Sequence, residues 1–111
     1  MINIEFYPNT FTIDINGHAN HDEKGKDIVC SAITTLFYTL AETLNNSRDM
    51  LEEDIDFKNE DGNGHLSCKP KPEYEANVSL IYYTILNGFQ AMADNYKKNV
   101  ILNCRVMEST I

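Results

Sequence analysis

The chain has 111 residues, 42% of them hydrophobic, and its nine basic and 17 acidic residues give a net charge of −8. This length suits one domain spanning residues 1–111, and the apolar fraction excludes a disordered chain. The negative charge argues against binding to nucleic acid; it favours a basic partner or serves only solubility. No apolar run approaches the roughly 18 residues that cross a membrane, and residues 1–6 alternate like a strand rather than a signal peptide.

Two strands are predicted at the start of the chain, where apolar and polar residues alternate over residues 2–7 and again over residues 11–16. A Pro-Asn pair between them is a turn signal, so the two strands should form a hairpin. Residues 17–26 form a polar loop, and loops of this length are often functional. A helix follows from Asp27, its predicted N-cap, to about residue 46, because the apolar positions recur with a period near 3.6.

The second half of the chain repeats this order. Ile55 and Phe57 mark a short third strand. Residues 61–64 (D-G-N-G) predict a hairpin turn, and the return strand begins at His65. A second helix opens at Pro72, and residues 100–105 form the last strand. The order ββαββαβ predicts an α+β fold, a two-layer sandwich with two helices packed on one mostly antiparallel sheet.

Three cysteines, odd in number and widely spaced, do not form a disulfide framework. They indicate a cytoplasmic protein with reduced thiols. Because an unpaired cysteine is usually a small buried hydrophobe, Cys68 and Cys104 are both predicted to be buried or partly buried. His65 is most simply a surface histidine.

Cys30 is the third residue of the first predicted helix, where the free N–H groups and the helix dipole favour an anion. Its thiol should therefore ionise more readily than a free thiol, and the thiolate is the nucleophilic form. His18 lies twelve positions earlier on a loop that must reverse, and His21 lies on the same loop. Either histidine could act as the base, N–H groups near Cys30 could stabilise an oxyanion, and Asp27 could orient the loop.

Two other interpretations of the same residues stay open. A lone cysteine on a helix is more often part of the core than a nucleophile. His18, His21 and Cys30 could also bind zinc, although no Cys-x-x-Cys pair or second ligand cluster accompanies them.

A sequence motif resembles that of a known family. Residues 17–19 read G-H-A and residues 25–32 read G-K-D-I-V-C-S-A. This resembles the signature of the ribosomal-processing cysteine proteases, G-H-A and, after a short loop, G-x-D-I-V-C-A-A with the same spacing. The chain departs from it at Ser31, where a small apolar residue is usual, at Thr34, where serine is common, and at Lys24, where an aromatic residue is frequent. The departures leave the His–Cys pair intact and bear on substrate preference.

The resemblance implies a role for each residue of the motif. Cys30 would be the nucleophile and His18 the general base and acid, with no metal or other cofactor, and His21 would have no catalytic role. The loop of the family is mobile, and Gly25 would suit its hinge. Gly17, Asp27 and Ser31 would support the site.

The resemblance also implies a function. Its members are homodimeric cysteine endopeptidases that remove a short N-terminal extension from a bacterial large-subunit ribosomal protein, the twenty-seventh of that subunit. An acidic chain would attract such a basic precursor. The alternative is a noncatalytic module of the same fold that binds a peptide or a ribosomal protein.

Overall fold

The computed structural model describes residues 1–23 and 26–105. The predicted hinge at Gly25 and the departure at Lys24 lie outside the described residues, as do residues 106–111. The described part contains five strands and two long helices in the predicted order ββαββαβ. The elements are β1 (Ile2–Tyr7), β2 (Thr12–Asn16), α1 (Ile28–Asn46), β3 (Asp56–Glu60), β4 (Asn63–Ser67), α2 (Glu75–Asn95) and β5 (Val100–Cys104).

The strands form one mixed sheet with the order β3-β4-β2-β1-β5. All neighbours are antiparallel except β1 and β5, which are parallel. Helix α2 carries the chain from β4 across the sheet to the far side of β1, and a parallel pair needs such a crossover. The predicted α+β sandwich with a mostly antiparallel sheet is confirmed.

Both helices pack on one face of the sheet. Alternation along β1 buries Ile2, Ile4 and Phe6 on that face and leaves the residues between them more exposed. By length and composition alone, helix α1 could cross a membrane. Its apolar stripe lies in this core, however, so packing accounts for its composition. The buried side chains of α1 are Val29, Ile33, Phe37, Leu40, Ala41 and Leu44.

Two local features differ from the sequence-based expectations. The turn between β3 and β4 consists of Asp61 and Gly62 alone, because β4 already begins at Asn63. Gly62 has a φ of +79°, a conformation that favours glycine. The prediction for Cys104 is wrong, because this thiol is exposed at the end of the edge strand β5, whereas Cys68 is buried as predicted.

The buried hydroxyl of Tyr82 links α2 to the segment between β1 and β2. It donates to the Phe11 carbonyl oxygen at 2.7 Å and lies 3.5 Å from Cys68 Sγ. Burial raises the pKa of Tyr82. Tyr82→Phe leaves the Phe11 carbonyl without this donor, so we expect the free energy of unfolding to fall by about 1–2 kcal/mol.

Urea unfolding measures this loss, and Tyr83→Phe is the matched control. Tyr83 is the next residue of α2, but its side chain is half exposed. A change of less than about 0.5 kcal/mol is expected there. Equal losses in the two variants would show that the hydrogen bond to Phe11 has no particular importance.

Candidate active site

The backbone at Gly17 and His18 is held from two sides. Gly17 follows β2 with a φ of +101°, and its N–H donates to the Gly62 carbonyl oxygen at 3.0 Å. A Cβ at position 17 would lie 2.2 Å from the Met1 carbonyl oxygen, so only glycine fits. The Met1 amino group donates to the His18 carbonyl. His18 therefore leaves the sheet between the start of β1 and the β3–β4 turn.

Asp27 is the N-cap of α1, as predicted. Its side chain is only 5% exposed, and Oδ1 accepts from the Val29 N–H at 3.0 Å and the Cys30 N–H at 3.1 Å. Cys30 is the third residue of the helix and is half buried. The capping carboxylate thus fixes the helical turn that carries the thiol.

The second oxygen of the Asp27 carboxylate binds the loop. Oδ2 accepts from the His21 N–H at 2.9 Å and from the Asp22 N–H at 3.2 Å. Burial on its own raises the pKa of the Asp27 carboxyl, but the four backbone N–H donors outweigh burial and hold the pKa below its ordinary value. Asp27 is therefore a buried anion that joins the loop to the start of α1.

This capping arrangement limits which N–H groups could stabilise an oxyanion at Cys30. The N–H groups of Val29 and Cys30 already donate to Asp27, and the Ser31 N–H donates to the Asp27 carbonyl at 3.1 Å. The anion held at the helix start is thus a carboxylate. These three N–H groups already have acceptors, so other N–H groups near Cys30 would have to stabilise an oxyanion.

His18 and Cys30 line the same two cavities, with volumes of 240 and 290 Å³. Residues of the β3–β4 turn and Gly17 line the first cavity. Asp22, Asp27 and Ser31 line the second one. The structure therefore brings together the thiol, the imidazole and the described residues predicted to support them. A thiol and an imidazole at one cavity are the components of nucleophilic catalysis.

The other two histidines do not line these cavities. The His21 ring packs edge-on against Tyr96, with 5.3 Å between the ring centroids. His65 Nδ1 lies 2.6 Å from Asp14 Oδ1, and His65 Nε2 lies 3.5 Å from Asp56 Oδ2. These three side chains form a partly exposed polar cluster, which agrees with the prediction of a surface histidine. Within residues 1–23 and 26–105, no group of three His, Cys, Asp or Glu side chains is placed to hold a metal ion.

Asp61 and Gly62 border His18, although their D-G sequence by itself predicts only a turn. Asp61 Oδ1 lies 3.9 Å from His18 Nδ1, and a Cβ at position 62 would lie 2.9 Å from His18 Nε2. The D-G pair signals a hairpin turn but does not indicate its neighbours. Its position beside residue 18 follows from the antiparallel pairing of β2 with β4, in which Asn16 lies opposite Asn63.

The fold and the site together define an α+β protein with a thiol and an imidazole at a shared cavity. A family model described as cysteine protease Prp matches residues 1–101. The chain therefore belongs to this family of cysteine proteases, and the resemblance inferred from the motif is confirmed.

Relatives with known names or structures agree with this assignment. The ribosomal processing cysteine protease Prp of Staphylococcus aureus is 28% identical over 89 residues, which are 80% of this chain and 81% of that protein. A crystal structure of the S. aureus protease with a covalently linked product peptide matches with a TM-score of 0.79 and 24% identity, over 95% of this chain and 100% of that one. A Streptococcus mutans protein matches with a TM-score of 0.69 and 22% identity, over 96% and 93% of the two chains. The structural matches show a common fold.

Proposed function

We propose that the chain is a cysteine endopeptidase in which Cys30 is the nucleophile and His18 the general base and acid. One observation carries this proposal. In a member of a cysteine protease family, a thiol and an imidazole twelve positions apart line the same cavities. A thiolate with a nearby histidine is the arrangement that nucleophilic attack on a peptide carbonyl requires.

The other two thiols fit this role less well. Cys68 is 6% exposed, and burial raises the pKa of its thiol, so it is both inaccessible and hard to ionise. Cys104 is exposed, but it lies on β5, at the edge of the sheet opposite the β3–β4 turn and His18. Cys30 is therefore the thiol with a histidine at the same cavity.

The reaction would proceed in two steps. His18 takes the proton of Cys30, and the sulfur attacks the peptide carbonyl carbon. The C–N bond then breaks as His18 returns the proton to the leaving amine. Water attacks the resulting acyl-enzyme, its proton passes to His18, and the C–S bond breaks to release the new carboxyl group and restore the thiol. Asp27, Gly17 and Ser31 support this site, and Gly25 is proposed as the hinge of the loop.

The proposed substrate is the precursor of the twenty-seventh protein of the large ribosomal subunit, from which an N-terminal extension would be removed. The curated S. aureus relative is named a ribosomal processing protease, and solved structures of that protein contain a substrate or a product peptide. The net charge of −8 favours a basic precursor.

The cellular setting and assembly are part of the same proposal. Ribosome assembly and three free cysteines both suit the cytoplasm. Leu80 and Tyr83 of α2 expose 71% and 49% of their surface, and such apolar and aromatic side chains suit a contact with a second copy in a homodimer. Each copy would act through one domain spanning residues 1–111.

Selective alkylation tests the roles of Cys30 and His18. At neutral pH we expect iodoacetamide to modify Cys30 at least about tenfold faster than the exposed Cys104, because a histidine at the same cavity can take the proton of the Cys30 thiol. The buried Cys68 should react slowest. Mass spectrometry resolves the three sites. His18→Ala should slow the reaction at Cys30, whereas His21→Ala should leave it unchanged. Equally slow modification of Cys30 and Cys104 would favour the noncatalytic binding module.

Incubation with the ribosomal precursor tests the substrate. Mass spectrometry should show one cut at the junction between the extension and the mature protein. The mature protein without its extension is the control. A reactive Cys30 together with an uncut precursor would mean that the protease acts on another substrate.

A further inference from the structure

We propose that Asp61, on the β3–β4 turn, is a positioning residue that orients the His18 imidazole and stabilises its protonated form. The inference rests on the proposed function of Cys30 and His18. It adds a third side chain to the site, contributed by a different part of the chain from the loop and helix that supply the other two.

The Asp61 and His18 side chains are in contact. Asp61 Oδ1 lies 3.9 Å from His18 Nδ1, which is an ion-pair distance rather than a hydrogen bond. The Asp61 and His18 side chains are 69% and 53% exposed, so solvent screens the pair in this structure. Catalytic hydrogen bonds in unliganded enzymes are often long and tighten only with substrate. A peptide that covers the cavity would also weaken the screening of this pair by water.

The backbone holds Asp61 and His18 close together. The Gly17 N–H donates to the Gly62 carbonyl at 3.0 Å, which ties the residue before His18 to the residue after Asp61. Gly62 also leaves the space that the ring occupies, since a Cβ there would lie 2.9 Å from Nε2. The imidazole is thus bordered by Gly62 at Nε2 and by Asp61 at Nδ1.

The charge of Asp61 suits the charge that His18 acquires in the reaction. His18 carries a positive charge after it takes the thiol proton, and a nearby carboxylate stabilises that charge. Among residues 1–23 and 26–105, the charged groups around the two cavities are Asp22, Asp27, Glu60 and Asp61, together with the Met1 amino group on the His18 carbonyl. Of these carboxylates, Asp61 is the one within 4.0 Å of the imidazole. An effect of Asp61 on His18 can therefore be distinguished from the effect of the net negative charge of the site.

Precursor cleavage by Asp61→Asn, measured over a range of pH, tests the inference. We expect kcat to fall about tenfold with KM within about twofold, because the carboxylate acts on the protonated histidine rather than on substrate binding. The alkaline limb of the kcat profile should move to lower pH, since the imidazolium loses its stabilising partner. Asp61→Glu should restore most of the activity. A thermal melt verifies that each variant is folded.

Glu60→Gln is the comparison variant, because it removes the same charge from the adjacent residue. Equal losses of kcat in Asp61→Asn and Glu60→Gln would overturn the inference in favour of a general effect of charge. An active wild type with an unchanged Asp61→Asn profile would overturn the role of Asp61 alone. A wild type that neither cleaves the precursor nor shows a selectively reactive Cys30 would overturn the proposed function, and the role of Asp61 with it.

Discussion

Cys30→Ala is expected to abolish cleavage of the ribosomal precursor, with a loss of at least about 10³-fold in kcat. The sulfur is the atom that bonds to the acyl group, and Cys30 is the only cysteine among the described residues that line the two cavities. His18→Ala should reduce cleavage by at least about 10²-fold, because proton transfer to and from a positioned histidine contributes that much. A time course of precursor cleavage followed by mass spectrometry measures both losses.

Cys30→Ala should leave the fold intact. Cys30 is half buried and its sulfur takes part in no described hydrogen bond, so Cys30→Ala should change the free energy of unfolding by about 1 kcal/mol or less. Cys104→Ala removes an exposed thiol at the other edge of the sheet and should cleave at the wild-type rate. Full activity in Cys30→Ala would disprove the assignment of the nucleophile. If the wild type binds the precursor peptide but does not cleave it, the protein is instead the noncatalytic binding module.

Asp27→Ala should produce the largest loss of stability among the polar residues of the site, about 2–4 kcal/mol in the free energy of unfolding. Four backbone N–H groups would lose their acceptor, two at the start of α1 and two on the loop. Because the carboxylate is 5% exposed, water cannot simply take its place. Chemical denaturation measures the loss. Asp49→Ala, at an exposed acidic residue of the 3-10 turn Arg48–Met50, is the control and should change stability by less than about 0.5 kcal/mol.

The contribution of Asp27 should also depend on pH. Its folded pKa lies below the ordinary value of 3.8, so its stabilising effect is fully present above that value and is lost as the pH falls through the lower, folded value. The stability difference between the wild type and Asp27→Asn should therefore be largest near neutral pH and shrink in acid below 3.8. Denaturation curves at neutral and at strongly acidic pH measure it. A difference that stays constant with pH would show that the charge of Asp27 is unimportant for the fold.

Much of this protein can be inferred from local patterns in the chain. Alternation over residues 2–7 predicted β1, and the 3.6-residue period predicted α1 with Asp27 at its N-cap and Cys30 as its third residue. The motif around Cys30 and His18 indicated the family, which a match over residues 1–101 confirms. These features are accessible because a strand, a helix start and a short motif each depend on residues that are close in sequence.

Only the tertiary structure decided the surroundings of the candidate dyad. Pairing of β2 with β4 places Asp61 beside His18, across 43 positions of the chain, and no local pattern signals that proximity. The edge position of β5 exposes Cys104, although its sequence resembles that of a core strand. The cap at Asp27 was predictable, but its second set of donors from the loop was not. Contacts of this kind depend on how distant strands pair and on where the chain returns, which periodicity along the sequence does not record.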